Sequence, residues 1–259
     1  MNIDLTDKHA LVCGASQGIG RAAANALAAA GARVTLLARK RETLDAARGA
    51  LPGDGHAVLA ADLGDPESLR EIVDAHIRAE GPIHILVNNS GGPAGGPAHL
   101  ATSDAFEVAF RQHLLASQQL VQAVLPGMRK AGFGRVINVI STSVKEPIRD
   151  LGVSNTVRGA VASWAKTLAT ELGPDGITVN NVLPGFTATG RLDYIFDTKA
   201  QKTGRPRAEI EAAARAQVPL GRFAEPAEIA AAIVFLASPA AAYINGINLP
   251  VDGGRTGSL

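Results

Sequence analysis

The chain has 259 residues, 25 Lys and Arg against 24 Asp and Glu, and a formal net charge of +1. That balance, with no basic run, argues against a nucleic-acid partner, and the single cysteine, Cys13, rules out an intrachain disulfide and argues against a cysteine-based metal cluster. Hydrophobic residues make up 46% but aromatics only 4%, so the core must be built from Ala, Val, Ile and Leu, as in a parallel sheet covered by Ala-rich helices.

Met1 to Lys8 is polar and lacks the apolar centre of a secretory signal, and no uninterrupted apolar stretch is long enough to cross a bilayer. The expected location is therefore cytoplasmic, with no membrane partner. His9 to Cys13 reads as a strand and Gly18 to Ala30 as a helix closed by Gly31. A second strand is expected at Arg33 to Ala38, a helix at Arg41 to Ala50, a third strand at His56 to Ala61, and a helix at Pro66 to Ala79 with Pro66 in its first turn. A fourth strand spans Ile83 to Asn88, followed by a Gly/Pro-rich loop over Gly91 to Pro97. Ser103 to Ala131 reads as one long or broken helix, Arg135 to Ile140 as strand five, Val153 to Leu172 as a helix, and Thr178 to Leu183 as strand six. Pro226 to Ala237 is a further helix and Gly246 to Val251 a short last strand. This alternation predicts an α/β chain: one Rossmann-type domain over residues 1–259, a doubly wound parallel sheet of about seven strands with helices on both faces. Phe186 to Val218 breaks the rhythm, being polar and charged. Following strand six, it is expected to leave the carboxyl edge of the sheet and act as a substrate lid at about 186–218.

Cys13-Gly14-Ala15-Ser16-Gln17-Gly18-Ile19-Gly20 joins the first strand to its helix. Glycines at 14, 18 and 20 let the backbone turn tightly and approach a pyrophosphate, while the helix N-terminus offers free N–H groups and a positive dipole end. A glycine-rich turn without a ligand is the plain alternative; its place between a first strand and an Ala-rich helix favours a nucleotide.

The G-x-x-x-G-x-G spacing resembles the T-G-x-x-x-G-I-G of the short-chain dehydrogenases/reductases, with Cys13 in place of Thr. Asn88-Asn89-Ser90-Gly91 resembles the family's N-N-A-G, Pro184-Gly185 its Pro-Gly after strand six, and Asp252-Gly253-Gly254 its C-terminal motif. The likeness covers essentially the whole chain and is nearest to members resembling 3-oxoacyl-carrier-protein reductases. It implies a nicotinamide dinucleotide held by Gly14, Ser16, Gln17, Gly18, Ile19, Gly20, Leu63, Asn89, Gly91, Pro184, Gly185 and Thr187, with Asp62 near the adenine amine. It also implies a small-molecule carbonyl or alcohol substrate, with an acyl thioester among the candidates, and a homotetramer or homodimer. The apolar stretches Ile229 to Ala237 and Ala240 to Val251 are compatible with a buried interface of that kind and could equally be intrachain core.

A carboxylate ending strand two would hold the adenosine ribose and repel a 2′-phosphate. The resemblance puts that position at Ala38, and Arg39-Lys40-Arg41 follows. A guanidinium fork matches a phosphate, so NADP(H) is favoured over NAD(H), with Arg39 as its ligand; a solvated helix start is the alternative for these cations.

The family reduces carbonyls with an Asn, a Ser and a Tyr-x-x-x-Lys pair, the Tyr donating the proton. Ser141 matches the Ser. The Tyr position is Ser154, the Lys position is Arg158, and the Asn position is His113. A spacing of four puts Ser154 and Arg158 on one helix face, and Arg158 is long enough to reach the nicotinamide ribose. A serine hydroxyl is a far poorer acid than a phenol, Arg supplies charge but no proton, and losing a positioned acid costs about 10²–10⁴ in rate. Three readings follow. In the first the enzyme remains an oxidoreductase with a rebuilt site, Lys145, Tyr194 or His113 supplying acid or electrostatic stabilisation. Each of these also has a structural reading: solvated loop charge, lid packing and buried helix histidine. In the second it is a catalytically weak or inactive NADP(H) binder acting as sensor or scaffold. In the third Ser154 and Arg158 grip an anionic substrate in different chemistry, with Asn155 beside them compatible with a polar site. The lid cations Arg191, Lys199, Lys202, Arg205 and Arg207 are diluted by Asp193, Asp197, Glu209 and Glu211, which favours a plain solvated surface. Trp164 reads as core or interface. The six histidines are scattered, and no metal site is expected.

Overall fold

The computed structural model describes residues 1–258. Seven parallel strands form one sheet in the order β3-β2-β1-β4-β5-β6-β7: β1 His9–Cys13, β2 Arg33–Ala38, β3 Ala57–Ala60, β4 Ile85–Asn88, β5 Gly134–Val139, β6 Ile177–Pro184 and β7 Asn248–Val251. The Rossmann-type sheet expected from the alternation is present. Its strand order reverses between β1 and β4, and in such sheets ligands settle where the order reverses, outside the carboxyl ends of the strands.

The side-chain period of two divides each strand between two cores. On one face Ala10, Val12, Val34, Leu36, Ile85, Val87, Ile137 and Val182 pack under α1 (Gly18–Ala29) and α9 (Pro226–Ala237). On the other, Leu11, Leu37, Leu86, Val136 and Val179 pack under α3 (Pro66–Glu80), α5 (Ala116–Ala131) and α6 (Gly152–Leu172). The inner strands β1, β2, β4, β5 and β6 are buried on both faces, which is why they read as nearly continuous apolar runs, while the edge strands β3 and β7 are only partly buried. Burying a Val or Leu side chain contributes about 1.5–3 kcal/mol, so this double layer is the main source of stability. Within the remaining connection, α2 covers Arg41–Arg48.

Several expectations shift. Gly18 to Ala30 ends at Ala29, with Gly31 at φ +95° just beyond. The helix expected to Ala50 stops at Arg48, and the last strand starts at Asn248. Strand three is shorter than expected, and strand four begins at Ile85 because Ile83 and His84 precede the ladder. The Ser103 to Ala131 stretch is α4 (Ser103–Phe110), a π-helical turn at Arg111–Leu115, then α5. Arg158 and its neighbours lie on α6 as expected.

The larger correction is Phe186 to Val218. Two helices occupy it, α7 Gly190–Thr203 and α8 Arg207–Arg215. Their apolar spacing is sparse, but Leu192, Phe196, Ile210 and Ala214 close a small core of their own with Phe186 and Phe223. Arg207 ties the pair together through Asp193, Asp197 and Glu211. The charges that broke the rhythm of the sequence here join the two helices. Ile229 to Ala237 is also decided: Ile229, Ala230, Ile233, Val234, Leu236 and Ala237 are buried within the single chain, so this side of α9 is intrachain core.

Candidate active site

The loop after β1 has the geometry its glycines suggested. Gly14 and Gly18 hold φ of +60° and +55°. A Cβ on Gly14 would lie 2.7 Å from Asn89 Nδ2, and one on Gly20 would strike the Gly14 carbonyl. Asn89, at the end of β4, donates Nδ2–H to the Cys13 carbonyl at 3.2 Å and so fastens the loop to the neighbouring strand. Cys13 is buried, and burial pushes its thiol up to about 12, so it packs as an inert apolar group.

The site fits a dinucleotide diphosphate. Gln17 caps α1 without a side-chain hydrogen bond, and no acidic residue stands in the first turn. The first amides of α1 therefore have neither an intrahelical nor a side-chain acceptor, and they face the bare glycine turn. Ser16 and Ile19 are partly buried in this turn, and Gln17 is exposed. At the tip of β2, Ala38 leaves room where a carboxylate would repel a phosphate, and Arg39 is exposed without an ion pair among the described residues. Arg41 instead pairs with Asp45 at 3.6 Å. Asp62 receives the Gly64 amide at 2.8 Å, shaping the turn that carries Leu63 after β3. A Cβ on Gly91 would meet open space. Gly185 must be bare because Asp252 lies 2.7 Å from its missing Cβ; Asp252 in turn receives the amides of Gly254 at 3.0 Å and Thr256 at 2.8 Å. Thr187, buried after Pro184-Gly185, donates to the Gly185 carbonyl.

The residues expected at the catalytic positions gather at the carboxyl ends of β4 and β5. Arg158 is buried on α6 and donates Nη1–H to the Val139 carbonyl at 2.7 Å, two residues before Ser141. Ser141 accepts from the Ser143 amide at 3.1 Å, which opens a short 3₁₀ turn over Thr142–Val144 and puts Lys145 at its end, half-buried. Ser154 sits partly buried one turn before Arg158. Asn155, which the sequence left compatible with a polar site, holds the preceding loop, receiving the Ile148 amide at 3.3 Å and donating to its carbonyl at 2.8 Å. Tyr194 is 57% exposed and stacks with Arg191, and Tyr243 is fully exposed, so no tyrosine occupies the buried site. Trp164 donates to Gln118 at 2.8 Å, tying α6 to α5.

His113 lies in the π-helical turn, a distortion often found at functional sites. Its Nδ1 meets Ser90 Oγ at 2.7 Å, and burial, with Arg158 adding repulsion, pushes its pKa down to about 3, so the ring is neutral. His113 Nε2, Arg158 Nε and Asn88 Oδ1 are buried without hydrogen-bond partners. All three residues line one cavity of about 20 Å³, together with Asn89, Ser90 and Asn138. Asn88 is also the first donor of a ladder that the sequence reading missed. Asn88 donates to Asn138 (2.8 Å), Asn138 to Asn181 (2.9 Å) and Asn181 to Asn248 (2.8 Å), rung by rung across β4, β5, β6 and β7. Each amide points its carbonyl toward β4, so the chain ends with an unpaired oxygen in the cavity that Arg158 borders. Only the strand register, which pairs these four positions, could have revealed it.

Residues 14–256 match the family described as enoyl-(acyl carrier protein) reductase. The chain belongs to the short-chain dehydrogenase/reductase family. It is 37% identical to a 3-oxoacyl-[acyl-carrier-protein] reductase of Vibrio cholerae, over 97% of this chain and 98% of that protein. It is 34% identical to L-xylulose reductase of Mesocricetus auratus, with 98% of each covered. The crystal structure of L-sorbose reductase from Gluconobacter frateurii, complexed with NADPH and L-sorbose, superposes with a TM-score of 0.94 at 30% identity, covering both chains fully. This short-chain dehydrogenase/reductase is thus an oxidoreductase by kinship. Among its described residues, no helix is long and apolar enough to cross a membrane.

Proposed function

We propose that this chain is an NADP(H)-dependent oxidoreductase acting on a carbonyl/alcohol pair through a rebuilt proton-handling site. The observation that carries the reading is the uncapped N-terminus of α1 inside its glycine turn, beside Ala38 and the exposed Arg39. The NADPH in the L-sorbose reductase complex supports the same cofactor. The bound nicotinamide supplies or accepts the hydride.

The chain's own residues do the rest. Ser16, Gln17, Gly18, Ile19 and Gly20 grip the diphosphate, and Arg39 takes the 2′-phosphate. Asp62, Leu63, Asn89, Gly91, Pro184, Gly185 and Thr187 bound the remaining cofactor surface. Ser141 and Ser154 orient the substrate oxygen by hydrogen bonds. Arg158 stabilises negative charge developing there: its pKa, pushed down to about 10 by burial and by Arg191, still leaves it charged at neutral pH. Arg keeps its proton, so Lys145 at the end of the 3₁₀ turn supplies it. The segment 186–218 acts as the lid of a single domain, and the enzyme works as a cytoplasmic homotetramer or homodimer.

NADPH oxidation against keto esters, quinones, acyl thioesters and sugars tests this. Turnover with any of them is expected. Tight NADPH binding with no turnover across the panel would turn the reading toward the sensor or scaffold, which the missing phenol favours. Absence of calorimetric heat with either dinucleotide would overturn both.

A further inference from the structure

Arg158 is a cation with 8% of its surface exposed, and among the described residues no carboxylate pairs with it. Its Nη1 is spent on the Val139 carbonyl, while its Nε is buried without a partner. Buried charges are ordinarily paired, because desolvation costs several kcal/mol per ion. The second cation makes the arrangement stranger. Arg191, in the first turn of α7, donates Nη2–H to the Pro93 carbonyl at 2.7 Å, reaching from one loop cluster to the other. A Cβ built on Gly92 would sit 3.4 Å from Arg191 Nη2 and 3.9 Å from Arg158 Nη2. Two like-charged guanidinium groups therefore converge on one glycine that offers them no side chain. One is buried, the other exposed at the mouth, and none of the neighbours on α6, α7 or the 91–97 loop neutralises them.

Resting on the reductase reading above, we propose that Arg158 and Arg191 form a two-guanidinium clamp for an oxyanion carried by the substrate, a carboxylate or a phosphate. An anion seated between them satisfies donors that the protein leaves open and removes their repulsion. The planar forks give it bidentate partners, which a lysine at position 158 could not. Gly92 is bare because the anion occupies the volume a side chain would fill. The clamp also orients the substrate, holding its charged end against α6 and its reacting oxygen toward Ser141 and Ser154. Because Arg191 belongs to α7, anion binding pins the 190–203 helix to the 91–97 loop.

The test is calorimetric titration of the NADP⁺-loaded protein with two charged probes and their neutral counterparts. Acetoacetate is compared with 2,4-pentanedione, and dihydroxyacetone phosphate with dihydroxyacetone. At least one charged probe is expected to bind more than about tenfold tighter than its neutral partner, the yield of one charge-assisted hydrogen bond. Which pair shows the preference identifies carboxylate or phosphate. Arg191→Ala, at an exposed position that should tolerate truncation, is expected to erase the preference while NADP⁺ affinity changes less than about twofold. Equal binding of charged and neutral probes overturns the clamp. So does an Arg191→Ala protein that loses NADP⁺ but keeps the preference, since the arginine would then serve the cofactor diphosphate. If the wild type binds no dinucleotide, the cofactor reading fails by itself, and the same titration on cofactor-free protein decides the clamp.

Discussion

Arg158 Nη1 and the Val139 carbonyl, 2.7 Å apart, lock α6 onto the end of β5. This bond anchors a permanent cation on α6 beside the end of β5, and it fixes the direction in which the remaining guanidinium nitrogens can point. A lysine at this position would offer a mobile ammonium; the arginine offers a fork already anchored by one tine.

The clearest consequence concerns the proton. Ser154→Tyr together with Arg158→Lys restores the family pair on one face of α6. If proton supply limits the reaction, this double variant should turn over about 10²–10⁴ faster on any substrate the wild type accepts. Steady-state kinetics on purified protein read the outcome. A double variant that folds, binds NADPH and gains nothing would show that the wild type has no proton deficit to repair.

Cofactor choice is expected to follow Arg39. Arg39→Asp should weaken NADPH binding by about tenfold or more, the loss of a charge-assisted pair plus added repulsion, while NADH binding changes little. Fluorescence titration with both cofactors measures it. An equal effect on the two would remove the 2′-phosphate from this residue.

The phosphate turn should not tolerate a methyl group. Gly20→Ala drives Cβ into the Gly14 carbonyl and to 2.7 Å from Asn89 Nδ2. Overpacking of this kind costs about 1–3 kcal/mol, and here it also distorts the amides that hold the diphosphate. Urea unfolding should show the stability loss and calorimetry the loss of dinucleotide heat. Gly91→Ala, facing open space, is the control and should unfold like the wild type.

Stability should fall on acidification because of buried neutral histidines. His9 and His113 are both pushed down to about 3 from an ordinary 6.5, each chiefly by burial. As pH drops below 6.5 the unfolded chain takes up these protons and the folded chain does not. The stabilisation is complete above 6.5 and is lost progressively as pH falls toward 3. Each histidine contributes up to about 1.4 kcal/mol per pH unit. Urea midpoints at pH 7.5 and pH 5 should therefore diverge, and His113→Asn should shrink the difference. An unchanged difference in that variant would mean His113 carries its proton in the fold.

The glycine turn, the strand alternation and the shared helix face of Ser154 and Arg158 were legible in the linear sequence because each depends on neighbours a few residues away. Gly14 needs left-handed backbone, a strand buried on both faces must be apolar throughout, and residues four apart must share a helix face. Tertiary structure decided what is non-local. Asn155, compatible with a polar site in the sequence, holds a loop, because Ile148 folds back onto it. The 186–218 segment looked irregular and is helical, because Arg207 and three carboxylates from two helices meet only after folding. Most consequentially, Arg158 and Arg191 lie on different helices, 33 positions apart in the chain, and meet over Gly92, since parallel strands deliver the connections that leave them to one edge of the sheet. The identity of each side chain was written in the order of residues; which of them stand uncompensated beside one another depended on the register of β4, β5 and β6, and that is a property of the folded sheet alone.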